Sequence, residues 1–289
     1  MAKRFIAVDW GTSNRRDYLI EEGRVVARSR DDRGMLEMDG RGYEDAVAAI
    51  RGTHGDWPVL IAGMAGSNRG WREAPYVDAP ARAADIAANL LWIEPGRTAI
   101  VPGVAWRDPV APDVMRGEEV QLLGAVAAGL APATALLAQP GTHNKWVEMV
   151  DGAIGRFSTA MTGELFALLR DGSILSRQLD GAITAGPAFL DGIRDAGTRP
   201  LTAALFGARA GMLLGYRAEA DVADYVSGLL IGADVAGANL AGREAFILSD
   251  AALGELYAAA VTELGGTPRQ VDTVAAFVAG MTLIWSLLP

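Results

Sequence analysis

A strand that runs into Gly-Thr and then doubles back occurs twice in this chain, and no other feature restricts its fold as much. Residues 4–10 read as an apolar strand that delivers Asp9 to the turn Gly11-Thr12-Ser13-Asn14. Short strands at 17–20 and 24–28 follow, with Glu22-Gly23 turning between them. Residues 134–138 form a second apolar strand, which ends in Pro140-Gly141-Thr142. Strands at 146–150 and 154–161 come next, separated by the hairpin signal Asp151-Gly152.

After each meander the apolar period changes from two to about 3.6. The first half continues as a helix at 43–51, a buried strand at 59–62, a helix at 81–93, a strand at 98–101 and an apolar helix at 118–130. The second opens a helix at Thr162-Gly163-Glu164, with Thr162 as the expected N-cap and Glu164 favourable in the first turn. Further helices, a strand at 245–248, a helix at 251–264 and a C-terminal helix complete it. The fold class expected is α/β, built from two copies of one strand–hairpin–helix unit. Identity between the copies is too weak to establish duplication alone.

Charge and composition narrow the partners. With 26 Lys+Arg against 35 Asp+Glu the net charge is −9, which argues against nucleic acid and against an anionic membrane surface. The absence of cysteine excludes disulfides and thiolate catalysis, and two histidines leave little for a metal site. The longest apolar stretch, 275–289, falls short of the roughly twenty residues of a membrane span and reads as a buried helix. Asp9 interrupts the N-terminal apolar run too early for a signal peptide, so a cytoplasmic location is expected.

Four segments carry candidate chemistry. Asp9 to Asn14 offers N–H groups and hydroxyls for anionic oxygens and a carboxylate for Mg²⁺, although each of these residues also suits a plain turn. Pro140 to Lys145 is a second such turn; neither matches the Walker A pattern. Together they suggest phosphates gripped from two sides of a cleft. Lysine occurs only at positions 3 and 145, and His143 lies two residues before the second, as if a compact ammonium were wanted there. Glu118 and Glu119 open the apolar helix, where acidic residues complement the helix dipole or where one of them serves as a general base. The loop from Gly63 to Tyr76 gathers Ser67, Asn68, Arg69, Trp71, Arg72, Glu73 and Tyr76, a mixture suited to a polyol or acid pocket.

These blocks resemble the 2-dehydro-3-deoxygalactonokinase family, kinases of the actin-like ATPase and sugar kinase superfamily. The resemblance rests on DWGTSN at Asp9, GMAGSNRGWREAPY at Gly63, MRGEE at Met115, PGTHNKW at Pro140, MTGELFALL at Met161 and YVSGLLIG at Tyr225. The six are collinear and span nearly the whole chain.

The resemblance implies two ribonuclease H-like domains flanking an ATP cleft. An N-terminal sugar-binding domain would cover 1–131 and a C-terminal nucleotide-binding domain 132–289. It implies ATP and Mg²⁺ as cofactors, with Asp9 on the metal side of the first loop. Gly11, Thr12 and Asn14 would serve the nucleotide from that loop, and Gly141, Thr142 and Lys145 from the second. Glu118 stands where sugar kinases often carry the Asp of Gly-Asp-Gln as catalytic base. Two departures stand out: Arg15-Arg16-Asp17 is unusually charged, and Leu248-Ser249-Asp250 replaces a Gly-containing turn near adenosine.

The implied reaction moves the ATP γ-phosphoryl group to the 6-hydroxyl of 2-dehydro-3-deoxy-D-galactonate. Ser67, Arg69, Trp71, Arg72, Glu73 and Tyr76 would bind that sugar acid; of the basic candidates for the two anionic substrates, Arg69, Arg72, Arg116 and Lys145, a buried Arg69 or Arg72 is expected on its carboxylate, where a bidentate fork fits. A kinase for another sugar or sugar acid, such as 2-dehydro-3-deoxygluconate, is the alternative, as is a non-catalytic ribonuclease H-like sugar-binding protein. Neither nucleic acid nor membrane is expected as a partner, and a homodimer stays open.

Overall fold

A computed structural model describes residues 3–38, 42–240 and 242–289. The chain divides into two compact units, one of residues 1–134, 148–157 and 272–289, the other of 135–147 and 158–271.

In the first unit β1 (Arg4–Trp10), β2 (Arg15–Glu21) and β3 (Arg24–Asp31) form the expected antiparallel meander. A one-turn helix α1 (Met35–Met38) and the longer α2 (Tyr43–His54) follow. β4 (Val59–Gly63) then pairs parallel to β1 on its free side. A short strand β5 (Tyr76–Asp78) and helix α3 (Ala83–Ala88) precede β6 (Leu91–Glu94) and β7 (Thr98–Ile100). β7 lies parallel to β4 and β6 antiparallel to β7, giving the order β3-β2-β1-β4-β7-β6. β8 (Gly103–Trp106) and β9 (Asp113–Met115) join β5 in a small separate sheet that hands the chain to α4 (Glu118–Ala127).

The second sheet repeats the plan, with residues 148–157 of its hairpin counted in the first unit. β10 (Ala135–Gln139), β11 (Asn144–Val150) and β12 (Ala153–Ala160) are followed by α5 (Thr162–Gly172), α6 (Pro187–Asp195), α7 (Leu201–Leu213) and α8 (Val222–Gly237). β13 (Glu244–Leu248), α9 (Ala251–Glu263), β14 (Thr267–Val271) and α10 (Thr273–Ser286) complete the chain. The sheet order β12-β11-β10-β13-β14 reproduces β3-β2-β1-β4-β7, and β10, β13 and β14 are mutually parallel as β1, β4 and β7 are. Asp151 at φ 49° and Gly152 at φ 77° make the left-handed turn that a two-residue hairpin needs.

Helices cover both faces of the first sheet, so β1 is apolar almost throughout. Ile6, Val8 and Trp10 pack with Tyr43, Val47 and Ile50 of α2. On the opposite face Phe5 stacks on Trp285 at 4.9 Å, and Tyr18 tilts against Phe277 at 5.5 Å. Those aromatics belong to α10, which joins the first unit and packs backbone to backbone on α4. A Cβ on Gly124 would sit 1.9 Å from the Ala276 carbonyl oxygen, and one on Gly280 would sit 2.0 Å from that of Val120. The units are therefore not the consecutive stretches 1–131 and 132–289: the second opens at β10, but residues 148–157 and the last helix belong to the first.

Three expectations differ in detail. The helix expected over 81–93 stops at Ala88, and Leu91 and Trp92 pair with Ile100 and Ala99, because Leu-Trp-Ile suits a pleated surface and β7 offers an edge. Thr162 is the first residue of α5 rather than its cap; Met161 holds the cap position, and the Thr162 hydroxyl donates to Asp234 at 2.8 Å. The strands of the small sheet carry too few residues to be seen as periodicity, and β14, Thr-Pro-Arg-Gln-Val, is mostly exposed and lacks an apolar pattern. No helix among the described residues is long and apolar enough to cross a membrane.

The α4–α10 crossing generates a stability prediction. Gly124→Leu should lower the unfolding free energy by about 2 kcal/mol or more, since the added atoms meet backbone that cannot yield. Gly52, with open space around its Cα, should gain up to about 1 kcal/mol as Ala. A denaturant melt in which Gly124→Leu matches wild type would contradict the packing.

Candidate active site

The first Gly-Thr turn sits at the end of β1. Gly11 N–H donates to the Asn14 carbonyl at 2.9 Å and closes it. The Gly11 and Thr12 carbonyls accept from the N–H groups of Met35 and Leu36, at 3.0 and 3.1 Å, at the start of α1. Gly34 makes that approach feasible, because a Cβ there would lie 2.4 Å from the Thr12 oxygen. The N–H groups of Thr12 and Ser13 donate to no carbonyl among the described residues, and both residues are exposed. The turn thus presents donors outward.

Asp9 precedes this turn on the sheet face that also carries Arg16, whose Nη1 lies 3.3 Å from Asp9 Oδ2. Burial pushes the Asp9 carboxyl above the usual range, Arg16 opposes that, and the charge of Glu118 adds to it. Glu118 therefore stands in the electrostatic neighbourhood of Asp9.

Gly117, at φ 104°, turns β9 into α4 directly over Gly63; a Cβ on Gly117 would meet Gly63 Cα at 3.0 Å. The two glutamates after it have different environments. Glu118 is half-buried and accepts from Arg116 N–H at 3.0 Å. Glu119 is fully buried, accepts from Gly117 N–H at 2.6 Å through Oε2, and has no partner for Oε1 among the described residues. Burial first, and the charge of Glu118 second, push the Glu119 carboxyl up to about 8.

The Gly63–Tyr76 loop begins where β4 ends beside Trp10. It folds back through Trp71 N–H to the Ala65 carbonyl at 2.8 Å and Ala74 N–H to that of Gly66 at 2.9 Å. Trp71 stacks on Tyr43, with rings 4° from parallel, and so anchors the loop to the core. Ser67 is buried with its hydroxyl on Met35 Sδ. Arg69, Arg72 and Glu73 are exposed, which corrects the expectation of a buried arginine at 69 or 72. The guanidinium held inside belongs to Arg116: it lies 4.4 Å from the Tyr76 ring centre, donates to the Ala74 carbonyl at 2.8 Å, and keeps Nε and Nη1 buried without hydrogen-bond partners among the described residues.

In the second unit the Gly141-Thr142 turn is backed in the same manner. Glu164 N–H, in the first turn of α5, donates to the Thr142 carbonyl at 2.9 Å, and a Cβ on Gly163 would lie 2.5 Å from the Gly141 oxygen. The N–H groups of Gly141 and Thr142 donate to no carbonyl among the described residues. His143 reaches Glu164 at 2.7 Å, and Lys145 is buried at the start of β11.

Sequence reasoning passed over Asp234. Its carboxylate accepts from Asn144 Nδ2 at 3.0 Å, Trp146 Nε1 at 2.9 Å, Thr162 Oγ1 at 2.8 Å and the Tyr257 hydroxyl at 2.6 Å. It ties the exit of the turn, the start of α5 and α9 to one point. Burial, then the charge of Asp234, raise the Tyr257 hydroxyl far above its usual range. The available signal was that Asp234 is the lone carboxylate in the apolar run 225–238. Beside it a cavity of about 150 Å³ is lined by Gly141, Thr162, Phe166, Leu230, Leu253 and Tyr257.

Two sheets of ribonuclease H-like order, each with an outward-facing Gly-Thr turn at the end of its first strand, define the actin-like ATPase fold of sugar kinases. The family model for 2-keto-3-deoxy-galactonokinase matches residues 9–284. A relative from Rhizobium meliloti assigned as a 2-dehydro-3-deoxygalactonokinase is 40% identical, covering 98% of each chain. The 2-dehydro-3-deoxygalactonokinase of Escherichia coli is 37% identical over 82% of this chain and 80% of its own. A crystal structure from Sinorhizobium meliloti, assigned likewise, superposes with a TM-score of 0.89 at 39% identity over 97% of both chains. The chain belongs to the 2-keto-3-deoxy-galactonokinase family.

Glu119 sets a pH test. Its folded-state value, about 8, lies above the ordinary 4.5, so the stability linked to its proton is complete below about pH 4.5 and is lost as pH rises through 8. Glu119→Gln mimics the neutral acid and cannot ionise. The loss of unfolding free energy between pH 5.5 and 8 should therefore be smaller in Glu119→Gln than in wild type, by roughly 2 kcal/mol. Equal losses in the two proteins would contradict a protonated Glu119.

Proposed function

We propose that this chain transfers the γ-phosphoryl group of ATP to the 6-hydroxyl of 2-dehydro-3-deoxy-D-galactonate, giving the 6-phosphate and ADP. The observation that carries this is local: the charge of Glu118 acts on Asp9 beside a turn whose amides point outward. Phosphoryl transfer asks little covalent chemistry of a protein; it depends on positioning and on charge stabilisation, with a carboxylate taking the hydroxyl proton.

Glu118 suits the base. It is half-buried and close enough to Asp9 to affect its proton, whereas Glu119 is sealed and holds the backbone of Gly117. In the balanced step the 6-oxygen bonds to the γ-phosphorus, the bond to the β-phosphate bridging oxygen breaks, and the hydroxyl proton passes to Glu118. Arg116, on the same junction, offers guanidinium N–H groups toward the Gly63–Tyr76 loop, where the sugar acid would lie. Ser67, Arg69, Arg72, Glu73 and Tyr76 would complete that pocket, the exposed arginines closing on the ligand.

The free N–H groups of Thr12 and Ser13, and of Gly141 and Thr142, suit phosphate oxygens. Gly11 and Asn14 shape the first turn, and buried Lys145 adds charge next to the second. The apolar cavity lined by Leu253 and Tyr257 fits a nucleobase, with Asp250 capping α9 by accepting from Leu253 N–H at 3.1 Å. No group of three or more His, Cys, Asp or Glu among the described residues could hold a metal ion. Mg²⁺ commonly binds through one carboxylate, water and substrate phosphates, and Asp9 supplies such a carboxylate. When bound, Mg²⁺ neutralises charge on the phosphates. This reading gives the acid and the base to the first unit and the nucleobase to the second, in a cytoplasmic enzyme.

A coupled assay of ADP release tests the reading. The acid should be phosphorylated far better than galactose, glycerol or xylulose, and also better than its C4 epimer. Glu118→Gln should lower kcat by about 10²-fold or more while KM for ATP barely moves. A neutral sugar as best substrate, or near-normal kcat in Glu118→Gln, would overturn it.

A further inference from the structure

Cross-strand register places Arg16 opposite both Asp9 and Arg30, and Tyr18 opposite Arg28. Directly opposed side chains share a sheet face, with Cβ atoms roughly 5 Å apart, so Arg16, Arg28 and Arg30 crowd one face. They surround a cavity of about 380 Å³ whose lining also includes Tyr18, Ser29 and Val274. Like charges directly opposite one another destabilise a sheet, and here little offsets them. Arg16 has Asp9 at 3.3 Å, Arg30 donates only to the neutral Asn14 Oδ1 at 3.2 Å, and Arg28 forms no ion pair among the described residues. Arg15, which points to the other face, is paired with Asp31 and lies over Trp10 at 5.0 Å. Two arginines without a carboxylate partner, Arg28 and Arg30, thus share this face of the meander, in a protein of net charge −9.

A cluster of fixed guanidinium groups with too few carboxylates is a site for an oxyanion, and the planar fork favours phosphate. Its position fixes which one. Asn14 closes the first Gly-Thr turn by accepting from Gly11 N–H, and Arg30, which lines the cavity, donates to the Asn14 side chain, so one wall of the cavity is tied to that turn. Tyr18, buried beneath, supplies a firm floor through its contact with Phe277.

We propose that Arg28 and Arg30, beside the Asp9–Arg16 pair, form a subsite for phosphate oxyanions of the nucleotide tail. This rests on the reading of the first turn as a nucleotide loop, and it adds the third strand of the meander to the phosphate-binding surface.

The test is binding by calorimetry with tripolyphosphate, ADP and orthophosphate as separate probes, on wild type, Arg28→Gln, Arg30→Gln and the double variant. Arg24→Gln, at the far end of β3, is the control. The double variant should bind tripolyphosphate and ADP at least about tenfold more weakly, with each single variant intermediate, Arg24→Gln unaffected and the melting temperature no lower than wild type, since like-charge repulsion is relieved. In the kinetic assay KM for ATP should rise by a similar factor, while KM for the sugar acid stays within about twofold. Unchanged tripolyphosphate affinity would overturn the proposal. A rise confined to KM for the acid, or a loss confined to orthophosphate, would overturn the nucleotide assignment. A wild type that binds tripolyphosphate through these arginines yet phosphorylates no sugar acid would sink the proposed reaction and leave the subsite standing.

Discussion

In each unit the Gly-Thr turn gives its carbonyl oxygens to a helix that begins just behind it. Gly11 and Thr12 receive the first N–H groups of α1, and Thr142 receives that of Glu164 in α5. A glycine at the helix start, Gly34 or Gly163, is what lets the two backbones touch. Once the carbonyls are occupied from behind, the turn N–H groups have only the outer side left. A turn fixed that way is a preformed concavity for an anion rather than a flexible link that must be ordered on binding. The same local solution recurs at the end of the first strand of two sheets with the same strand order.

The two glutamates at the start of α4 differ in burial. Glu118 and Glu119 are adjacent in sequence, but the helix turns one toward Asp9 and the other into the core. There Glu119 binds Gly117 N–H and holds its proton to about pH 8. The sealed acid fixes the Gly117 turn, and that turn aims its neighbour. Arg116 extends the arrangement to the Gly63–Tyr76 loop through Tyr76 and Ala74. Asp234 does the corresponding work in the second unit, collecting donors from β11, α5 and α9 at one carboxylate.

Much of this was legible in the sequence where a residue type is forced by local geometry. The strand ends at Trp10 and Gln139, the Asp151-Gly152 hairpin, and the acidic start of α4 follow from turn chemistry and period. What escaped depends on partners distant in sequence. Asp234 reads as one polar residue in an apolar helix until Asn144 and Tyr257 are seen converging on it. Arg69 and Arg72 lie in the loop that looks richest in chemistry, yet they are exposed, while Arg116 takes the inner position because α4 begins over Gly63. The membership of α10 in the first unit is set by Gly124 and Gly280, whose meeting no local pattern announces. That Arg28 and Arg30 of β3 share a face with Arg16 becomes visible only through strand register.

If both turns hold the nucleotide, their outward amides must become protected together. Hydrogen exchange of the whole protein should be followed residue by residue, with and without a non-hydrolysable ATP analogue and Mg²⁺. Exchange at residues 11–14 and 141–144 is expected to slow in parallel at saturating analogue, with little change at the β11–β12 hairpin turn. Protection of one turn with the other unaffected would contradict a shared role in phosphate binding.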